Sequence, residues 1–280
     1  MNAVAQFEST AQLIEALADG AWEEHGEVFL LLDGARLPNM ADWLIRLEER
    51  YQWVGLFGAD RSALDVSPVL LRLPPRFSDK FLYRLLNEAA FARAFSVLLS
   101  RYSLNDLAAH FDKHLYVDDP DGARWGLAFW DPLILISLVG ARPSSSTLVP
   151  GPVLTPAQCA SLLAPIALWC IKGRDGMPLS IRPNTRVDET ICPPFALTQA
   201  QMDQLTDIAL PEEVGQVVTK AMPELVSVTP GVTLHRVCCE AVVHCRRQGN
   251  DHLAAFCAVA LEALAQMADS ANGITTESTT

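Results

Sequence analysis

The sequence predicts an α/β (α+β) N-terminal lobe followed by a mainly helical C-terminal lobe. Three observations carry this. Apolar runs of strand length alternate with stretches of helical spacing up to about residue 140; a Pro- and Ser-rich break follows at Arg142-Pro143-Ser144-Ser145-Ser146; and four amphipathic segments in succession fill the chain from residue 198. The expected organisation is an α/β domain over residues 1–142, a Pro-rich connector with a short helix and a hairpin over 143–197, a helical lobe over 198–270 and a disordered, small and polar tail over 271–280.

Ser9 or Thr10 can cap a first helix running to about Glu24, with Leu13, Ile14, Leu17, Ala18 and Trp22 at helical spacing. Val28 to Leu32 is a continuous apolar run closed by Asp33-Gly34, the pattern of a buried strand entering a turn. Met40, Trp43, Leu44 and Leu47 mark a second helix, Trp53 to Phe57 a strand ended by Gly58, and Pro68 to Leu73 a third strand stopped by Pro74-Pro75. Ser78 and Asp79 open a helix bearing Phe81, Leu82, Leu85 and Leu86, after which Phe95 to Leu99 reads as a strand. Ser103 caps a helix to His114 with Leu104, Leu107, Ala108 and Phe111 on one face. Leu115 to Val117, the turn chemistry of Asp118-Asp119-Pro120-Asp121-Gly122, and Trp125 to Trp130 then make a hairpin. Asp131-Pro132 supplies a cap and a first-turn proline for a helix to about Val139.

Beyond the break, Thr155 to Leu163 is a short helix, and Leu168 to Ile171 pairs with Leu179 to Ile181 around Gly173-Arg174-Asp175-Gly176. After Pro193-Pro194 come helices over Thr198 to Ile208, Glu212 to Ala221, Thr229 to Arg247 and Asp251 to Ala268.

Composition narrows the function classes. Half of the 280 residues are hydrophobic, enough for a sizeable core, and a net charge of −12 argues against nucleic-acid or anionic-membrane partners, which select clustered Lys and Arg. The N-terminus lacks a basic region followed by an apolar core, and no apolar run approaches the ~20 residues of a membrane span, so a cytoplasmic protein without membrane contact is expected. Seven cysteines, all between Cys159 and Cys257, then read as reduced and packed.

No Gly-x-Gly-x-x-Gly, P-loop, Gly-x-Ser-x-Gly or Cys-x-x-Cys motif is present. His110 and His114 have the i, i+4 spacing of a zinc site but lack the adjacent Glu, Phe111 standing in its place; the plainer reading is a helix end with His114 near the last carbonyls. His235, Cys238, Cys239, His244 and Cys245 suggest a soft-metal cluster, against which stands a thiol-bearing helix core among Val237, Ala241, Val242 and Val243. Asp33 and Asp131, both at strand ends, resemble an acid/base pair by position, yet each has a local task, in a turn and at a helix cap. Arg36 can pair with one of them and fix a loop. No catalytic, cofactor-binding or metal residue is assigned.

Leu30-Leu31-Leu32-Asp33-Gly34-Ala35-Arg36, then Leu56-Phe57-Gly58, then Val66-Ser67-Pro68-Val69-Leu70-Leu71-Arg72-Leu73, resembles the opening of the domain-of-unknown-function 4123 family. Ser100, the helix from Leu107 to His110 with Lys113 and Leu115, and Phe129-Trp130-Asp131-Pro132 are similar to later pieces of that family in the same order, so the likeness covers roughly residues 28 to 140. Ala128 and Leu133 depart from it, standing where the family commonly has basic residues. The resemblance implies a non-catalytic adaptor chaperone of bacterial type VI secretion. Such a protein binds an effector toxin in the cytoplasm and promotes its loading onto a VgrG-type spike protein. What remains of the family's polar motif is Asp33, Arg36, Arg72 and Asp131, expected to bind a partner or to tie loops at one edge of the N-terminal sheet. The competing classes are a metal-dependent hydrolase using His110, His114 or the His235 cluster, and a structural subunit of a secretion assembly.

Overall fold

A computed structural model describes residues 10–19, 26–141, 152–173, 178–183 and 191–274. The Trp22 end of the first expected helix, the Pro-Ser break at 142–146, turn residues 174–176 and the tail beyond 274 lie outside the described residues. The chain divides into two compact units, the first holding residues up to 141 together with 152–201, the second residues from 202 onward.

The first unit is built on a six-stranded antiparallel sheet. In chain order its elements are α1 (Thr10–Ala18), β1 (Glu27–Asp33), a 3-10 turn (Gly34–Arg36), α2 (Met40–Leu47), β2 (Trp53–Gly55), α3 (Arg61–Leu64), β3 (Pro68–Leu73), α4 (Lys80–Ala92), β4 (Phe95–Ser100), α5 (Leu104–Asp112), β5 (Tyr116–Asp118), β6 (Arg124–Gly126), α6 (Pro132–Val139), α7 (Pro156–Leu163), β7 (Ile166–Lys172), β8 (Pro178–Ile181) and β9 (Phe195–Ala196). The strand order is β2-β3-β1-β4-β7-β8, while β6-β5-β9 form a small second sheet.

Period-two side-chain alternation sorts the strands onto two apolar faces. Leu30, Leu32, Val69, Leu71, Val97, Leu99, Leu168 and Cys170 pack with Leu13 and Ile14 of α1, Met40, Leu44 and Leu47 of α2, and Leu82, Leu85 and Leu86 of α4. On the other face Trp169, fully buried and opposite Leu98 in the register, meets Phe111 of α5 at a ring-centroid distance of 5.7 Å and Phe129 at 6.3 Å. Its indole N–H is satisfied inside the core by Ser96 Oγ at 2.8 Å. The layers are helix, sheet, helix.

The helix starts follow the sequence. Asp79, Ser103, Asp131 and Thr155 each accept a first-turn backbone N–H, and Thr155 with Gln158 completes a reciprocal capping box. Strand bounds differ more. β6 ends at Gly126 rather than Trp130, because Phe129 is drawn into the core and Asp131 into a cap. The region expected as a separate connector is part of the first unit: β7 pairs with β4, β8 with β7, and β9 runs parallel to β5. A strand that buries both faces, as β7 does, finds its partner by register with a distant strand, which local pattern does not encode.

The second unit contains α8 (Gln199–Ala221) beyond its first turn, α9 (Pro223–Ser227), α10 (Gly231–Arg247) and α11 (Leu253–Ile274). The two helices expected on either side of Pro211 are one helix with the proline inside it. Pro211 removes one backbone hydrogen bond, while Val214 and Val218 beyond it anchor the helix in a core with Val237, Cys238, Ala241, Val242 and Cys245 of α10 and Phe256, Cys257, Ala260 and Leu264 of α11. α11 also continues four residues beyond Ser270, into the stretch expected as tail. By length and composition it is, among the described residues, a helix capable of crossing a membrane, with mean hydropathy 1.3 over Leu253–Ser270. In this unit its stripe of Phe256, Cys257, Ala260 and Leu264 is core instead.

Candidate functional site

Four of the motif segments meet at the end of the central strand β1. Asp33 closes the strand, and its Oδ1 accepts the Ala35 N–H at 3.1 Å, turning the chain into the 3-10 turn that carries Arg36. Gly34 N–H donates to Ser67 O at 3.1 Å. Only glycine fits there: a Cβ would lie 2.5 Å from Ser67 O and 2.6 Å from Leu64 O, both rigid backbone atoms. The Ser67 hydroxyl, fully buried, accepts the Phe57 N–H at 2.9 Å and donates to Pro68 O at 2.9 Å, tying the Leu56-Phe57-Gly58 segment to the start of β3.

Asp131 brings in the fourth segment. Its Oδ1 accepts the Leu133 N–H at 2.8 Å as the cap of α6, leaving Oδ2 to accept from Arg36 Nη2 at 2.5 Å. Arg36 Nε lies 3.4 Å from Asp33 Oδ2, so one guanidinium sits between two carboxylates that are 95% buried or nearly so, Asp33 at 4% exposure and Asp131 at 9%. Burial, and next the neighbouring Asp131 charge, push the Asp33 carboxyl up to about 6 against the pull of Arg36 and of backbone N–H groups. Beside the cluster Trp130 stacks edge-on against Phe57 at 5.4 Å and against buried Phe129 at 5.3 Å. Phe57 is 37% exposed and forms the rim. From Arg36, Leu37 and Pro38 a groove of about 870 Å³ runs along the outer stripe of α4, past Tyr83, Arg84 and Asn87.

Of the four residues singled out in the sequence, Asp33, Arg36 and Asp131 come together, at the end of a central strand rather than at a sheet edge. Arg72 does not join them. It lies opposite Phe29 in the register whereas Asp33 lies opposite Pro68, four residues or roughly 13 Å along the strand. There it pairs with Glu27 at 2.7 Å and Gln52 at 3.2 Å, at the mouth of a different groove. Phe57, Ser67 and Trp130 belong to the site as well, beyond the four charged residues; the sequence signals for the two aromatics are an apolar residue beside glycine and an aromatic next to a capping Asp.

The histidine pair is occupied by the fold. Since a carbonyl only accepts, His114 Nδ1–H donates to His110 O at 2.8 Å, leaving Nε2 to accept from Ser161 Oγ at 3.1 Å, and His110 Nε2–H donates to Leu162 O at 3.0 Å. The pair thus joins α5 to α7, with burial pushing His114 down to about 4. In the second unit His244 is exposed and contacts Gln248 while Cys245 is core. Among the described residues no group of three or more His, Cys, Asp or Glu is arranged to hold a metal.

Residues 28–145 match the family model described as Domain of unknown function (DUF4123). The chain carries a DUF4123 domain. Every residue of the Asp33–Arg36–Asp131 cluster and of its aromatic rim falls within it, whereas the DUF4123 segment supplies only four strands of the six-stranded sheet, β7 and β8 being contributed from beyond it. Neither the curated proteins nor the solved structures contain a match to this chain.

Proposed function

We propose that this protein is a non-catalytic adaptor chaperone that binds a type VI secretion effector toxin in the cytoplasm and promotes its loading onto a VgrG-type spike. The observation that carries the reading is the convergence of four of the motif segments at one place. A guanidinium held by two carboxylates lies there beside an aromatic rim, and the same Arg36 lines one end of a groove along α4. The salt-bridged floor holds Arg36 and the rim in one geometry, as a docking surface requires. In this reading the DUF4123 domain supplies the docking surface common to such adaptors, and the helical second unit, outside the family match, supplies the choice of effector. Neither nucleic acid nor membrane is a partner, consistent with the net charge of −12.

Co-expression of the full chain with a toxin and a spike protein encoded beside it, followed by affinity purification, tests the proposal. Co-elution of the toxin, or a gain in its solubility, is expected; absence of both for toxin and spike overturns the reading. Asn87→Arg, placed on the exposed groove wall, should abolish co-elution while leaving the melting temperature unchanged.

A further inference from the structure

The second unit holds a thiol, an imidazole and a carboxylate in line. Cys239 Sγ lies 3.3 Å from His235 Nε2, one turn earlier on α10, and His235 Nδ1 lies 3.0 Å from Glu212 Oε1 on α8. The second contact is a charge pairing off the axis of an ideal hydrogen bond, so Nδ1 is buried with Glu212 beside it and no aligned acceptor. When the Cys239 thiol donates, Nε2 accepts with its lone pair and the ring proton sits on Nδ1, beside the Glu212 carboxylate. His235 and Cys239 are each 8% exposed, while the Glu212 side chain, at 24%, reaches solvent.

We propose that Cys239 is an activated thiol, with His235 as its base and Glu212 holding the imidazolium, and that it is a site of oxidation by hydrogen peroxide. The thiol proton passes to His235 Nε2. The thiolate sulfur attacks one peroxide oxygen, the O–O bond breaks, and the departing hydroxide takes the proton from the imidazolium and leaves as water. Sulfur loses two electrons to peroxide, and Cys239 becomes a sulfenic acid. Burial admits a small neutral oxidant and disfavours bulky ones.

Among the described residues no other thiol is hydrogen-bonded to an imidazole. Burial pushes Cys238 up to about 12 and Cys159 to about 11, and it raises Cys170 and Cys257 as well. Cys238 faces Cys239, Glu212 and Cys257, and Cys257 faces Glu213, so thiols and acids stand beside the relay. The site lies outside the DUF4123 segment and is independent of the adaptor reading.

The test treats the full chain with hydrogen peroxide, removes the excess, unfolds the chain with dimedone present to trap sulfenic acid, and maps the seven cysteines by fragment-ion mass spectrometry, with exposed Cys192 as the internal reference. An activated Cys239 should label on the order of tenfold faster than Cys192 at pH 7. His235→Gln should remove the advantage without changing the Cys192 rate, and Glu212→Gln should reduce it. Labelling of Cys239 no faster than Cys192 overturns the proposal. The wild-type rate ratio decides the matter even where His235→Gln does not fold.

Discussion

Arg36 and Asp131, 95 residues apart in the chain, meet at 2.5 Å, and the same guanidinium reaches back to Asp33 at 3.4 Å. Two buried carboxylates thus share one cation, and removing it leaves each with its backbone N–H partner but no counter-charge. Arg36→Ala is expected to destabilise the protein by roughly 2–3 kcal/mol, less than for a fully buried pair because the Arg36 side chain is 26% exposed. Asp131→Asn keeps a capping oxygen for Leu133 N–H, so Asp131→Ala should be worse than Asp131→Asn by about 1 kcal/mol. Urea midpoints of the three variants at pH 7 check the ranking.

Asp33 should make stability fall as pH rises. Its carboxyl is held at about 6 in the folded chain against an ordinary value of 3.8, so between these values the folded state keeps a proton that the unfolded chain has released. The contribution from Asp33 is lost as pH climbs through this window and stays absent at pH 7, where it represents a cost on the order of 3 kcal/mol. Asn can still accept the Ala35 N–H. Asp33→Asn is therefore expected to match or exceed wild-type stability at pH 7 and to lose that advantage near pH 4, measured as the difference between paired urea titrations.

His114 acts in the opposite sense over a similar window. Burial holds it at about 4 against an ordinary 6.5, so between those values the unfolded chain binds a proton that the folded state refuses, and stability drops as pH falls from 6.5 towards 4. His114→Gln should cost about 1–2 kcal/mol at pH 7 through lost hydrogen bonds to His110 O and Ser161. At pH 5 the penalty should shrink or vanish. A variant whose deficit is equal at both pH values would show that His114 is not buried in neutral form.

Gly34→Ala adds one methyl group where two backbone carbonyl oxygens already stand within 2.6 Å of its position. Neither can rotate away, so a loss of at least ~2 kcal/mol is expected, with a matching drop in melting temperature. Gly58→Ala is the control for crowding, since nothing lies within 4 Å of its Cβ position; its φ of +115° confines any loss to backbone strain.

Much of the fold was legible because its signals are local. A short polar side chain before an apolar periodic run specifies a cap, which is why Asp79, Ser103, Asp131 and Thr155 could be read as helix starts. Pro211 shows the limit of such signals: its cost to the helix is local, but the packing of Val214 and Val218 that outweighs it belongs to three helices together. Arg72 shows a second limit. In the sequence it is one more charged residue of the motif, and only the antiparallel register places it about four residues along from Asp33 and in partnership with Glu27 and Gln52.

The sequence by itself determined that an α/β lobe precedes a helical one, that Asp33 and Asp131 end strands or begin turns and helices, and that the motif order is that of the DUF4123 family. Tertiary structure decided that β7 and β8 complete the N-terminal sheet, that Arg36 serves both carboxylates and that His235 lies between Cys239 and Glu212. The division is physical. Caps, turns and apolar periodicity act over a few residues, so they are written in neighbouring letters, whereas strand register, ion pairing and proton affinity depend on groups that meet only when the chain has buried its core.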